Sequence, residues 1–254
     1  MDLGLRDRVV LITGAGGATG PTIGRAFAAE GARVALHYRP TKERQTRAGS
    51  AAAAIVASGG QGIAVAADLG SAEQIGAMIE RITTELGPVA VLVTATSAYR
   101  PERFTELSDA SWAAIVEDLL GATFRTGRAV VPGMQAAGWG RIVNVAARSG
   151  LVGVSRAAQY GAAKAGIIGL TASLAKELGP NGILVNAVAP TQLLTVKDGV
   201  PSIPSERAAE MARGIPLRRI ATADDLAALV VWLGSAANTY LTGETISLHG
   251  GDQH

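Results

Sequence analysis

The sequence predicts a doubly wound α/β domain, a parallel sheet with helices on both faces. Three observations carry that reading. Short apolar, β-branched runs alternate with segments of helical period from one end of the chain to the other. The strand runs are continuously apolar rather than alternating, the pattern of strands buried on both faces. A glycine-rich turn follows the first of them.

The elements follow in order. Arg8–Thr13 (RVVLIT) is a strand, and the glycine turn after it opens a helix running to about Glu30. Arg33–His37 is a second strand, Thr41–Ser58 a helix, and Gly62–Ala66 a strand ending near Asp68. Ser71–Leu86 has the helical period, with Ser71 placed to cap it and Glu73 in the first turn, where negative charge suits the helix dipole. Val89–Val93 is a strand and Ser108–Met134 one long helix. Arg141–Val145 is a strand, and Ala157–Leu178 a helix stopped by Gly179-Pro180. Ile183–Val188 is a strand, Ala223–Leu233 a helix and Thr245–Leu248 a last strand. Residues 190–216 hold Pro190, Pro201, Pro204 and Pro216 with weak periodicity, and are expected to form a lid. One domain is expected over residues 1–254.

Composition narrows the function. Of the 254 residues 48% are hydrophobic and 17% charged, too apolar for wholesale disorder. The net charge of +2 and the 4% aromatic share argue against nucleic acid or an anionic membrane as partner. With no cysteine, disulfides, thiolate nucleophiles and cysteine-based metal sites are excluded. His37, His249 and His254 are far apart in sequence, so no metal site is expected. Met1–Arg8 is too charged for a signal peptide, and no apolar run reaches the roughly 18 residues of a membrane span. A soluble, cytoplasmic protein acting on a small molecule is the expectation.

Thr13-Gly14-Ala15-Gly16-Gly17-Ala18-Thr19-Gly20 lies between the first strand and the first helix. Glycines there let the backbone turn tightly and approach a pyrophosphate at the helix N-terminus, as in Rossmann-type sheets. By itself such a turn is no more than a tight connection; after the first strand of this architecture it points to a dinucleotide. The second strand ends His37-Tyr38-Arg39, with no acid before Glu43. An acid at that place binds the ribose 2′-hydroxyl of NAD, whereas an arginine accommodates the 2′-phosphate of NADP, so NADP is favoured over NAD.

Tyr160 and Lys164 stand four apart on one helix face. A free phenol, with its pKa near 10, is a poor acid–base catalyst at neutral pH, and a lysine cation one turn away is expected to lower it. With Tyr160-Gly-Ala-Ala-Lys164-Ala-Gly166 go Asp68-Leu69, Gly140-Arg-Ile-Val-Asn144 and Val185-Asn-Ala-Val-Ala-Pro190. Thr195 and Thr242-Gly243…Gly250-Gly251 complete the set. Together with the glycine turn, these resemble the short-chain dehydrogenase/reductase family over nearly the whole chain.

The resemblance implies an oxidoreductase acting on an alcohol or ketone. Tyr160 would exchange a proton with the substrate oxygen and Lys164 would hold the nicotinamide ribose. Gly14, Gly17, Thr19 and Gly20 would face the pyrophosphate, Asp68 and Leu69 the adenine, and Thr195 the nicotinamide carboxamide, with Thr96 and Pro190 also against the cofactor. A homotetramer or dimer is implied. The sequence departs from the family at several of these places. The catalytic serine, thirteen residues before the tyrosine, is Ala147. The asparagine of the long central helix corresponds to Asp118, expected as a catalytic group whose charge acts on Lys164. The segment after the fourth strand reads Thr94-Ala95-Thr96-Ser97, the middle glycine of the first turn is Ala18, and Thr191 follows Pro190. Two other readings stay open: a non-redox enzyme (lyase, isomerase, cyclase or dehalogenase) using Tyr160 as acid or base, and a catalytically silent dinucleotide-binding protein.

Overall fold

A computed structural model describes residues 2–197 and 199–252. His254, and Asp198 within the expected lid, lie outside the described residues.

Seven parallel strands form the sheet: β1 (Val9–Thr13), β2 (Arg33–Tyr38), β3 (Gln61–Ala66), β4 (Val89–Thr94), β5 (Gly140–Val145), β6 (Ile183–Pro190) and, last in sequence, Thr245–Leu248. The spatial order is β3-β2-β1-β4-β5-β6 followed by that last strand. The chain therefore winds outward from β1 in one direction and, starting again at β4, in the other. A crevice opens where the two directions part, at the carboxyl ends of β1 and β4, and open α/β sheets bind their ligands there.

Continuous burial of β1 follows from its serving both faces. Val10 and Ile12 join the core beneath the helices α1 (Gly20–Ala29) and α2 (Lys42–Ala57), with Ile23, Phe27 and Ile55. Val9 and Leu11 join the opposite core with Ile75, Met78 and Ile82 of α3 (Ala72–Glu85). Ser71 does cap α3, accepting from the Gln74 amide, and Thr41 caps α2 through the Arg44 amide.

The expected helix Ser108–Met134 is divided. It comprises α4 (Asp109–Val116), a π-helical turn Glu117–Gly121, and α5 (Ala122–Ala137), which accommodates Pro132. A short α6 (Ser149–Val152) precedes the long α7 (Ala158–Leu178). The proline-rich stretch also holds more structure than expected: β7 (Val196–Lys197) and β8 (Val200–Pro201) pair antiparallel, and α8 (Ser205–Gly214) follows. α9 (Ala223–Leu233) begins with a capping box between Thr222 and Asp225, and Thr245–Leu248 is β9. No helix among the described residues is long and apolar enough to cross a membrane.

Candidate active site

The glycine turn lies at the crevice and is held from behind. Gly14 has φ +72°, and a Cβ there would come within 2.6 Å of the Ala95 carbonyl oxygen at the end of β4, so glycine is required twice over. Its amide donates to His37 Nδ1 at 3.1 Å, and Nε2 of the same ring faces the Ala67 carbonyl at 3.0 Å. Those two contacts make Nδ1 the acceptor and Nε2 the protonated nitrogen. Burial pulls the His37 pKa down to about 4, with Arg39 and Arg44 adding to the effect against the Ala67 contact. A neutral imidazole thus ties the glycine turn to β2 and to the end of β3.

Thr19 stands at the N-cap of α1 with no capping side-chain hydrogen bond, and Pro21 in the first turn has no amide hydrogen. Pro21 and Thr22 of this turn line, with Gly17 and Ala18, a cleft of about 750 Å³ that Leu194, Thr195 and Thr222 also line. Such an uncapped positive helix end fits a pyrophosphate. Ala18 is exposed here, so its methyl adds bulk on the ligand side only.

A second cavity of about 500 Å³ lies on the other side of the turn, lined by Gly14, Arg39, Leu69, Thr96 and Asp118 among others. Leu69 forms part of its wall. Asp68 stands beside it, its Oδ1 accepting from the Gly70 amide at 2.9 Å. Arg125 binds the Leu69 carbonyl at 2.7 Å and Glu117 at 2.8 Å, fixing the π turn against the end of β3. Across the cavity, Arg39 Nη2 meets Asp118 Oδ1 at 2.5 Å. A slot with Leu69 on its wall and the cationic side chains of Arg39 and Arg44, beside a glycine turn that leads to an uncapped helix end, fits a dinucleotide.

Tyr160 and Lys164 share a face of α7, the ammonium lying 5.8 Å from the ring centroid. Lys164 is buried and donates to the Val145 carbonyl at 2.7 Å and, at 3.5 Å, to that of Thr96, which links it to the wall of the second cavity. Pro190 ends β6, its carbonyl accepting from the Arg148 amide at 2.9 Å. The Tyr160 pKa moves opposite to expectation. Burial raises it, and Tyr99, packed edge-on at 5.1 Å, adds to the rise. The same burial lowers Lys164 to about 8, so the cation expected to acidify the phenol is itself weakened.

Two further side chains define this end of the crevice. Ala147 is buried and contributes no hydroxyl. Asp118 is not brought to Lys164, since its carboxylate is engaged with Arg39. Two residues of the π turn pack into the cluster with Ala146, Ala163 and Tyr160: Leu119, fully buried, and Leu120, partly buried. Tyr160 therefore has an apolar side made by this cluster, with Lys164 and Tyr99 as its polar neighbours.

Comparison with known proteins agrees with this geometry. A family model described as enoyl-(acyl carrier protein) reductase matches residues 14–252. Nodulation protein G of Azospirillum brasilense is 33% identical over 250 residues, covering 97% of this chain and 98% of its own. The 3-oxoacyl-[acyl-carrier-protein] reductase FabG of Pseudomonas aeruginosa is 33% identical over 249 residues, with 98% of both chains covered. Acetoacetyl-CoA reductase of Allochromatium vinosum is 32% identical over 250 residues, covering 96% of this chain and 98% of its own. The chain belongs to the short-chain dehydrogenase/reductase family of oxidoreductases.

Within that family frame, three residues of the site escaped the reading of the sequence. His37 gave no signal beyond a polar residue in an apolar strand. Tyr99 follows the altered segment after β4, and its exposure there is visible only in the fold. Leu119 is masked by Asp118 beside it, because a continuous α-helix would orient the two differently from a π turn.

Proposed function

We propose that this short-chain oxidoreductase reduces a ketone to an alcohol with NADPH, Tyr160 being the proton donor. The observation that carries the reading is the pair of half-buried Tyr160 and buried Lys164, joined through the Thr96 carbonyl to a cleft that has Arg39 and no acid at the end of β2. NADPH, when bound, supplies the hydride to the carbonyl carbon. The chain does the rest. Arg39, with Arg44 beside it in the cavity wall, takes the 2′-phosphate. The first turn of α1 takes the pyrophosphate, Thr195 faces the carboxamide, and Lys164 holds the ribose.

Tyr160 gives its hydroxyl proton to the carbonyl oxygen as the hydride arrives, and the phenolate then regains a proton from solvent. Burial and Tyr99 raise the phenol pKa, so Tyr160 carries at neutral pH the proton that reduction consumes, though as a weaker acid than a free phenol. Residues 190–216 would close over the substrate. The names of the relatives make 3-oxoacyl thioesters the first substrates to try.

The non-redox reading draws on the same site: Tyr160 is in place as an acid or base, while position 147 carries no hydroxyl and Leu119 packs in the apolar cluster with Tyr160. One set of measurements separates the readings. NADPH and NADH are titrated by fluorescence, and loss of NADPH absorbance is followed with 3-oxoacyl thioesters and simple ketones. Turnover that disappears in Tyr160→Phe, with NADPH binding retained, supports reduction. NADPH binding with no turnover on any carbonyl in the panel rejects it.

A further inference from the structure

The Arg39–Asp118 pair spans the cavity that the proposed function assigns to the adenosine half of the cofactor. Its partners are 79 residues apart in sequence, one at the end of β2 and the other in the π turn, so the fold alone brings them together. Both line the cavity wall. The Arg39 side chain is 49% exposed and that of Asp118 26%, so a ligand entering the cavity meets the pair at its surface. The other carboxylate of the turn, Glu117, is held by Arg125, while Arg44 faces the same cavity with no carboxylate partner among the described residues. Asp118 therefore directs its charge at Arg39 in particular.

We propose that Asp118 is a specificity-determining residue that competes with the 2′-phosphate of NADPH for Arg39 and holds down the preference for NADPH over NADH. The inference rests on Arg39 being the 2′-phosphate ligand. An arginine whose Nη2 is already engaged by a carboxylate must release that contact before its full fork can grip a phosphate, and the carboxylate remains beside the incoming negative charge. Both effects act on the phosphate. Neither acts on NADH, whose 2′-hydroxyl carries no charge and can instead donate a hydrogen bond to a carboxylate.

The test is a set of binding titrations on the purified protein, with NADPH and NADH as probes and thermal unfolding run alongside to verify the fold. Asp118→Asn should tighten NADPH by about fivefold, the change a partly exposed ion pair supports, and should leave NADH within about twofold or weaker. Asp118→Ala serves as the second variant should the amide find a new partner. Arg39→Ala should weaken NADPH by at least tenfold, and in that background Asp118→Asn should lose most of its effect. Equal shifts for both nucleotides, no shift for either, or a full gain persisting without Arg39 would each overturn the proposal while leaving the NADP reading intact. An Arg39→Ala variant that binds NADPH unchanged would overturn the NADP reading and the proposal with it.

Discussion

The tether between the glycine turn and the sheet is a histidine, and that makes stability depend on pH in a defined window. His37 is held neutral by burial, with a folded pKa of about 4 against the ordinary 6.5. Below pH 6.5 the unfolded chain takes up a proton that the folded one refuses, so the unfolded state is favoured. The stability this group contributes is complete above pH 6.5. It falls by about 1.4 kcal/mol per pH unit as the pH drops toward 4, and flattens once the folded ring also titrates. The interval corresponds to about 3 kcal/mol, a large share of a typical domain's 5–15 kcal/mol.

Protonation also destroys the acceptor at Nδ1, leaving the Gly14 amide without its partner. Urea unfolding at half-unit steps from pH 7 to pH 4.5 measures the slope. His37→Gln, which cannot titrate, should be less stable at pH 7, since it keeps one of the two contacts at best. It should also lose less stability in acid, so that the two curves converge. Parallel curves for parent and variant across the window would refute a neutral buried His37. On the proposed function, dinucleotide binding at this turn should weaken over the same interval in the parent and less in the variant.

Three further outcomes are expected. Gly14→Ala should cost about 2–4 kcal/mol in chemical unfolding, because it adds left-handed strain to a clash with the Ala95 carbonyl. Asp225→Ala should cost about 1 kcal/mol in the same assay, through loss of the reciprocal cap with Thr222 at the start of α9. Ala147→Ser combined with Leu119→Asn should raise kcat for carbonyl reduction by about tenfold or more, since one donor to a developing oxyanion is typically worth about 10²–10³. No gain in a folded, NADPH-binding double variant would show that the pocket is shaped for a different acceptor.

Strands were the most legible part of the fold, because an apolar run such as VVLIT buries on both faces wherever it is placed in a parallel sheet. Two elements were hidden for opposite reasons. α8 carries a helical period in Ala208, Met211 and Ala212, but these are small or only half-buried and no residue of the helix is fully buried, so the prolines around it dominate the pattern. The π turn lies inside a strongly helical segment. Its wider winding leaves the composition unchanged but rotates the following side chains, which is why Asp118 faces Arg39 while Leu119 faces α7. At the site, the glycine turn, Arg39 and the Tyr160–Lys164 spacing were readable as local patterns. The direction of the Tyr160 pKa was not. It is decided by how deeply α7 is buried and by Tyr99, 61 residues away, neither of which is written in the four-residue spacing.

The two ends of the crevice differ in polarity. At one end an aspartate faces an arginine. At the other, Leu119, Ala146 and Ala163 pack in one apolar cluster with Tyr160, and Ala147 is buried. The apolar surroundings have two consequences for Lys164. Burial lowers its pKa to about 8, yet at neutral pH most of it is still protonated, and the same apolar surroundings reduce the screening of its charge. That charge still does not outweigh burial at Tyr160, whose pKa is raised by burial and Tyr99. No side-chain donor at position 147 steadies the oxygen as negative charge develops there, and one such donor is typically worth about 2.7–4 kcal/mol. On the proposed reading the substrate must make up the difference. That favours a carbonyl already electron-poor, such as one β to a thioester, over a simple alkyl ketone.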